Sequence, residues 1–243
     1  MNKGIFVTGT DTGVGKTVVA AGILGYLRKK GVDAVPVKPV QTGGVNGEGG
    51  LTAPDLDYTL AASGIKPGRD ELNLMSPYIY QPACSPHLAA RMAQSYPEIS
   101  VIKDGINKLL ESHQAVVVEG AGGVLAPFNE TDLMIDLMAA LGFPVVLVSR
   151  PGLGTINHTL LSLRALQAAG LSLAGVVFNR TETARPDSRY IEDDNPEAIA
   201  RFGDVQVLGN IRHFTPQELK SAAFRECFVD DMPGLSNVLE AVG

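Results

Sequence analysis

Tryptophan is absent from the 243 residues, and aromatic residues together make up 6%. The core must therefore be largely aliphatic. Cysteine is nearly absent as well. Cys84 and Cys227 stand alone, with no CxxC spacing, which excludes a disulfide framework and a Cys-rich zinc site. Four scattered histidines show no metal-ligand spacing. Basic residues are the minority, 20 against 26 acidic, for a net charge of −6. A nucleic-acid or anionic-membrane partner calls for the opposite sign, so neither is expected. No uninterrupted apolar run approaches the ~20 residues of a membrane span. The N-terminus, MNKGIFVTGT, turns glycine-rich after three apolar residues and does not read as a signal peptide. A cytoplasmic location is expected.

What remains is an ordinary globular balance, 45% hydrophobic and 19% charged, which excludes wholesale disorder. The length suits one large core. Neither an internal repeat nor a long Pro/Gly linker divides the chain, so residues 1–243 read as a single domain. Nearly continuous apolar runs at Ile5–Thr8, Ala34–Val37, Ala115–Glu119, Pro144–Ser149 and Ala174–Phe178 predict strands covered on both faces. Helical patterns lie between and after them, at Lys16–Lys30, Asp55–Ser63, Pro86–Gln94, Glu98–Ser112, Leu133–Leu141, Asn157–Ala169, Asn195–Phe202 and Gln217–Arg225. A short strand is expected at Gln206–Leu208. Alternation of this kind predicts an α/β fold with a mostly parallel central sheet and helices on both faces. The stretch Gln41–Pro54, with five glycines, reads as the least structured, and the polar segment Thr181–Asp194 as a surface excursion. Ligands of such sheets sit at the carboxyl ends of the strands, so the residues that follow each strand matter most.

After the first strand comes Gly9-Thr10-Asp11-Thr12-Gly13-Val14-Gly15-Lys16-Thr17-Val18. A glycine-rich turn lets successive N–H groups face phosphate oxygens, and the helix that follows adds its positive N-terminus. Lys16 is placed to reach the β- and γ-phosphates and the Thr17 hydroxyl to ligate Mg²⁺. The GxxxxGK[ST] template has its first glycine one place early, at Gly9. A bare βα turn is the plain alternative, but strand, Gly-Lys-Thr and helix in sequence point to a purine triphosphate. A guanine-reading NKxD is absent: Asn179-Arg180-Thr181-Glu182 shares only its first residue.

The second strand ends in Lys38-Pro39-Val40-Gln41-Thr42. Lys38 is a point charge suited to a developing anion, or an ordinary solvated lysine. Asp55 opens a helix after the glycine-rich loop and is either a ligand or a cap. The third strand ends in Glu119-Gly120-Ala121-Gly122-Gly123, where an acid closing an apolar strand takes the place of a Walker-B carboxylate that holds Mg²⁺. Otherwise it is a buried acid satisfied by glycine N–H groups. Gly152-Leu153-Gly154-Thr155-Ile156-Asn157-His158 forms a second glycine turn opening a helix, hence a second candidate anion site, or a turn with an N-cap. Asn179, at the end of the fifth strand, has the paired donor and acceptor that can read a base edge. On spacing alone it is equally a turn residue.

These motifs, in this order and spacing, closely resemble the dethiobiotin synthetase family, ATP-dependent cyclo-ligases with a three-layer P-loop NTPase-like fold. The resemblance is carried by Gly9–Thr17, Lys38–Thr42, Ser85-Pro86-His87, Glu119–Gly123 and Gly154–His158, and runs from Phe6 to about Gly209. It implies 7,8-diaminononanoate and CO₂ as substrates, ATP and Mg²⁺ as the other requirements, and a homodimer whose diamine site spans the interface. By position it makes Lys38, Lys16 and Thr12 the reacting-group contacts and Thr17, Asp55 and Glu119 the metal ligands. Gly13, Val14, Gly15, Lys16, Thr17, Val18, Asp55, Glu119, Gly120, Ala121, Gly122, Asn179 and Arg180 fall on the nucleotide side. Thr42, Gly154 and Asn157 fall on the substrate side. Tyr190, within the polar excursion, either joins them or covers surface. Two positions depart from the pattern: Gly13 stands where some members carry glutamate, and Arg212 where a proline is common.

A partitioning-type ATPase, a protein-interaction switch, is the principal rival. Its loop carries an extra lysine five places before the main one, and here that place is Asp11. A cobyrinate-type amidating ligase needs a nucleophilic cysteine in a glutamine-cleaving domain, which neither Cys84 nor Cys227 provides. A nucleotide-binding module without chemistry leaves Lys38, Asp55 and the second glycine turn unexplained.

Overall fold

The computed structural model describes residues 3–47, 49–182, 189–219, 224, 228–236 and 238. Cys227 lies outside the described residues, as do part of the 181–194 excursion and part of the helix expected at 217–225. Among the described residues, six parallel strands form the central sheet: β1 (Gly4–Gly9), β2 (Ala34–Val37), β7 (Ala115–Glu119), β8 (Val145–Ser149), β9 (Leu173–Asn179) and β10 (Val207–Ile211). Their order is β10-β9-β8-β1-β7-β2. Chain order reverses direction at β1, so the phosphate loop that follows it opens at the switch point, where open α/β sheets bind ligands.

Side-chain alternation divides the core in two. Phe6, Val116, Val118, Val145, Leu147 and Val176 point into one cluster. Ile5, Val7, Val117, Val146, Val148 and Val177 point into the other. Period-2 alternation along strands that are apolar at nearly every position gives a sheet buried on both sides. The second cluster is closed by α1 (Lys16–Lys29), through Val19, Ile23, Leu24 and Leu27, and by Phe214, Phe224 and Phe228. Phe214 and Phe224 meet edge to face, with centroids 5.2 Å apart. Gly22 in mid-helix makes room for this packing, since a Cβ there would sit 2.3 Å from the Phe228 ring.

The main elements stand within a residue or two of their expected ends: α2 (Pro54–Ser63), α4 (Pro86–Ala93), α5 (Ile99–Ser112) and α6 (Met134–Leu141). The stretch expected to be least structured carries three short strands instead. β3 (Val40–Thr42) pairs in parallel with β6 (Tyr78–Tyr80), and β4 (Val45–Gly47) forms a hairpin with β5 (Gly50–Thr52). Three-residue strands are too short to show a period. Helix α3 (Arg69–Met75) was likewise not expected; its Met75 carbonyl accepts the Lys38 N–H at 2.8 Å. Helix α7 (Thr155–Ala168) begins two residues early, so its N-cap is Gly154, at φ 91°, and not Asn157. Strand β10 extends past Leu208 through Gly209 and Asn210, poor strand formers held by β9. Helix α8 (Arg189–Gly203) begins six residues before its expected start and runs through Pro196. The excursion is therefore partly helical, with Glu192 and Asn195 buried. A four-residue helix, α9 (Pro216–Leu219), follows β10.

Candidate active site

Between β1 and α1 the backbone passes through two left-handed residues, Gly13 at φ 75° and Gly15 at φ 90°. An L side chain at either position is strained. At Gly15 space forbids one too, because a Cβ would fall 1.9 Å from the Asn179 amide nitrogen. That nitrogen donates to the Val14 carbonyl at 2.9 Å. The end of β9 thus supports the phosphate loop from beneath. Lys16 folds back over the loop and donates to the Asp11 carbonyl at 2.9 Å. Burial, and then the neighbouring Lys38 ammonium, bring its pKa down to about 8.

Facing Lys16 is a buried charge cluster. Lys38 Nζ lies 2.7 Å from Glu119 Oε1 and 2.7 Å from Asp55 Oδ2, and reaches the Gly120 carbonyl at 3.3 Å. The Thr17 hydroxyl donates to the same Glu119 oxygen at 2.8 Å. Burial works against the Lys38 ammonium, but the Glu119 and Asp55 charges outweigh it and hold its pKa above the usual lysine value. Burial raises the Glu119 carboxyl above the usual range. Asp55 adds to that rise, while Lys38 and Thr17 oppose it. Two carboxylates around one ammonium account for the rise at Lys38, and burial followed by the Asp55 charge for the rise at Glu119. Lys38 is therefore not a solvated lysine. Asp55, second residue of α2, is not its cap either; Ala53 holds that position.

Three oxygen-bearing side chains from separate segments converge here: Asp55 and Glu119 meet at the Lys38 ammonium, and Thr17 joins them through the shared Glu119 oxygen. A hard oxygen set with few protein ligands fits Mg²⁺, which keeps several waters. Among the described residues no group of three or more His, Cys, Asp or Glu gathers as a transition-metal site would require.

A cavity of about 810 Å³ opens over this cluster, lined in part by Thr12, Gly13, Gly15, Lys16, Thr17, Val18, Lys38, Thr42, Asp55, Glu119, Ala121 and Gly122. Other expected contacts stand behind this wall. Val14 has a fully buried side chain, and a Cβ on Gly120 would strike Phe6 at 2.9 Å. Asn179 is buried, with one amide N–H committed to the loop, and Arg180 pairs with Glu192 of α8. Gly154, Asn157 and Tyr190 do not line the cavity, and Tyr190 is 73% exposed.

Sequence reasoning gave no site role to several contributors, among them Asp11, Ser85, Pro86 and Gly123, which it had quoted only as parts of motifs. Ala83, Cys84 and Ala126 line the cavity, but small or single side chains give no chemical signal. Gln41 is nearly fully buried; its Oε1 accepts the Asp55 N–H at 3.3 Å and its Nε2 donates to the Thr42 carbonyl at 2.7 Å. It caps α2 from another segment, a role its place in Lys38–Thr42 could have signalled.

The second glycine turn is gripped from two sides. Ser149 Oγ lies 2.7 Å from both Thr155 Oγ1 and Thr159 Oγ1, and 3.4 Å from Thr10 Oγ1 of the phosphate loop. On the other side the Asn195 amide donates to the Pro151 carbonyl at 2.6 Å.

A parallel sheet with a glycine loop at its switch point, Gly-Lys-Thr opening the first helix and an acid closing the neighbouring strand define a P-loop nucleotide-binding protein. A family model described as an AAA domain matches residues 3–217. The MinC:MinD cell division complex of Aquifex aeolicus matches over 98% of this chain and 96% of that one, with a TM-score of 0.61 and 12% identity. At that identity the likeness is one of fold alone. The sequence is 42% identical over 212 residues to the ATP-dependent dethiobiotin synthetase BioD of Anaeromyxobacter sp. (strain Fw109-5), covering 87% of this chain and 90% of that protein. It is 39% identical over 209 residues to the protein of the same name from Halalkalibacterium halodurans, covering 85% and 83%. The chain belongs to the ATP-dependent dethiobiotin synthetase family.

Proposed function

We propose that this protein uses ATP to carboxylate and cyclise 7,8-diaminononanoate with CO₂, forming the ureido ring of dethiobiotin with release of ADP and phosphate. The observation that carries this is the Lys38 ammonium, held 2.7 Å from both Glu119 and Asp55 at the floor of the cavity that the phosphate loop borders. A protein that only binds nucleotide has no use for a second buried cation there. A partitioning switch is disfavoured because Asp11 stands at the place of its signature lysine, paired with Arg150 at 3.1 Å.

The reaction runs in three balanced steps. One amine nitrogen attacks CO₂ and loses a proton, giving a carbamate. A carbamate oxygen attacks the γ-phosphorus of ATP and ADP leaves, giving a carbamic-phosphoric anhydride. The second amine attacks the carbonyl carbon, phosphate leaves with the former carbamate oxygen and takes up the proton that this amine loses, and the ring closes. The phosphoryl step needs positioned charge more than covalent help. Lys16 contacts the outer phosphates, Lys38 stabilises the charge passing between carbamate and phosphate, and Thr12 and Thr42 orient the reacting groups. Thr17, Asp55 and Glu119 would hold Mg²⁺. Once bound, Mg²⁺ neutralises phosphate charge. Asn179 and Arg180 lie on the adenine side, with Gly13 to Val18 and Gly120 to Gly122 around the phosphates.

The working unit is read as a cytoplasmic homodimer. The second glycine turn, through Gly154 and Asn157 at the positive end of α7, holds the carboxylate tail of a diamine whose amines react in the other subunit. Exposed Leu153 and Leu161 beside this turn and the turn's separation from the cavity support that division, and Tyr190, itself exposed, is assigned to the substrate side with it. Phosphate release from ATP, measured with and without diaminononanoate plus bicarbonate, tests the activity. Release that needs both is expected. An equal rate without them would overturn the reading.

A further inference from the structure

Helix α8 contains two polar side chains that an exposed helix would not bury. Asn195 is 4% exposed and Glu192 6%. Buried polar groups persist where they satisfy other polar groups, and these two reach different strand ends. Glu192 clasps Arg180, immediately after β9. Asn195 Nδ2 donates to the Pro151 carbonyl at 2.6 Å and approaches the Gly152 carbonyl at 3.4 Å. Gly152 O also accepts the Thr155 N–H at 3.2 Å. The Pro151 carbonyl is thus tied back to α8, while that of Gly152 is shared between α8 and the first N–H of α7.

This orientation matters for anion binding. A helix N-terminus attracts a carboxylate with its free N–H groups, and a carbonyl turned toward the same anion would repel it. The turn has little stiffness of its own. Gly152 and Gly154 carry no side chain, and a Cβ at either would meet nothing within 4 Å. Pro151 has no N–H to tie down. The external donor from Asn195 is what fixes the direction of the Pro151 carbonyl, and it supplements the Thr155 N–H at Gly152.

We propose that Asn195 is a positioning residue for the reaction. It holds the carbonyls of Pro151 and Gly152 away from the substrate, so that the start of α7 presents only N–H groups to the carboxylate of the tail. Glu192 anchors α8 to Arg180 so that Asn195 is in reach. The inference rests on the reading above that this turn holds the tail.

The test compares Asn195→Ala and the near-isosteric Asn195→Leu with wild type on two substrates: diaminononanoate, and the same diamine lacking the carboxylate. Asn195→Leu keeps the packed volume if Asn195→Ala unfolds. Losing the donor leaves the Pro151 carbonyl unsatisfied and free to turn toward the tail, so the KM for the acid should rise ~10-fold. The KM for ATP, kcat and the KM for the carboxylate-free diamine should stay within about twofold of wild type. An unchanged KM for the acid overturns the positioning role. So does an equal rise for both diamines, since a merely structural lesion does not single out the carboxylate. If the wild-type enzyme handles the two diamines with equal KM, the turn does not hold the tail. In that case the reading of the turn fails, and this role falls with it.

Discussion

Lys38 Nζ and Glu119 Oε1 lie 2.7 Å apart, with both side chains buried. Neither group could be buried so completely without a partner of opposite charge. The Lys38 ammonium touches the two carboxylates proposed to hold Mg²⁺, Asp55 and Glu119, and neutralises part of their negative charge. Replacing it with methionine removes charge stabilisation from the phosphoryl step and leaves nucleotide contacts alone. Lys38→Met is expected to lower kcat ~10²-fold or more, with little change in ATP affinity. Its carboxylates, lacking a counter-cation, should make Mg²⁺ without nucleotide raise the melting temperature more than in wild type. Near-normal turnover, or equal Mg²⁺ responses, would count against this role.

Glu119→Gln keeps the acceptor for Thr17 and Lys38 but loses the charge. The fold should survive, while the Mg²⁺ concentration for half-maximal turnover rises severalfold, because Mg²⁺ prefers anionic oxygen. An unshifted Mg²⁺ titration would reject Glu119 as a ligand.

Much of this site was legible in the sequence, and the reason is local. Lys38 directly follows an apolar strand, Glu119 closes one, and Lys16 and Thr17 open the helix that a glycine loop joins to a third, so the topology of a parallel sheet sends them to one crevice. Asp55 was reachable because it opens a helix after a glycine-rich loop. The short strands β3 to β6 were not legible, since three residues carry no period. Nor was the inner face of α8. Asn195 next to Pro196 resembles a helix start, and Glu192 reads as a surface acid until the fold brings Arg180 beneath it. Asn179 was seen as a residue facing ligand; its bond to the Val14 carbonyl depends on a contact 165 positions away.

That contact carries the next prediction. Gly15→Ala places a Cβ against the Asn179 amide and forces a left-handed alanine, about 1–2 kcal/mol from backbone strain alone. ATP affinity should fall by roughly tenfold or more. Gly15→Ala combined with Asn179→Ala removes the collision but not the strain, so isothermal titration should show partial recovery at most. Full recovery would mean that φ at this position does not matter.

Away from the site, His113 closes α5 between two acids. Its Nδ1 lies 2.8 Å from Asp33 Oδ2 and its Nε2 2.6 Å from Glu71 Oε1, with Arg28 on the other Asp33 oxygen at 3.3 Å. Burial pulls its pKa down, but the bonds to Asp33 and Glu71 prevail and hold it above the ordinary 6.5. A raised histidine pKa contributes stability that is fully present below the unfolded value and lost as pH rises through the folded one. Wild type should therefore melt above His113→Gln below about pH 6.5, with the gap narrowing as pH rises through the raised folded value. A gap independent of pH would show that the pairing contributes no charge-dependent stability.

The proposed sharing of the site between subunits makes a prediction that no single variant can test. Lys38→Ala disables the phosphoryl machinery, and Asn157→Ala with Gly154→Val disables the glycine turn. If each site is built from one subunit, a mixed dimer of the two variants has one site without Lys38 and another without the turn, and neither works. If the turn serves the opposite subunit, the mixed dimer has one doubly damaged site and one intact site. Random reassortment makes about half the dimers mixed, so activity should recover to roughly a quarter of wild type. Subunit exchange is verified first by native mass spectrometry of differently tagged chains. Once exchange is established, absence of recovery means that Gly154 and Asn157 act within their own subunit. The tail would then have to reach across to its own α7, past the Ser149 hydroxyl cluster that separates α7 from the phosphate loop.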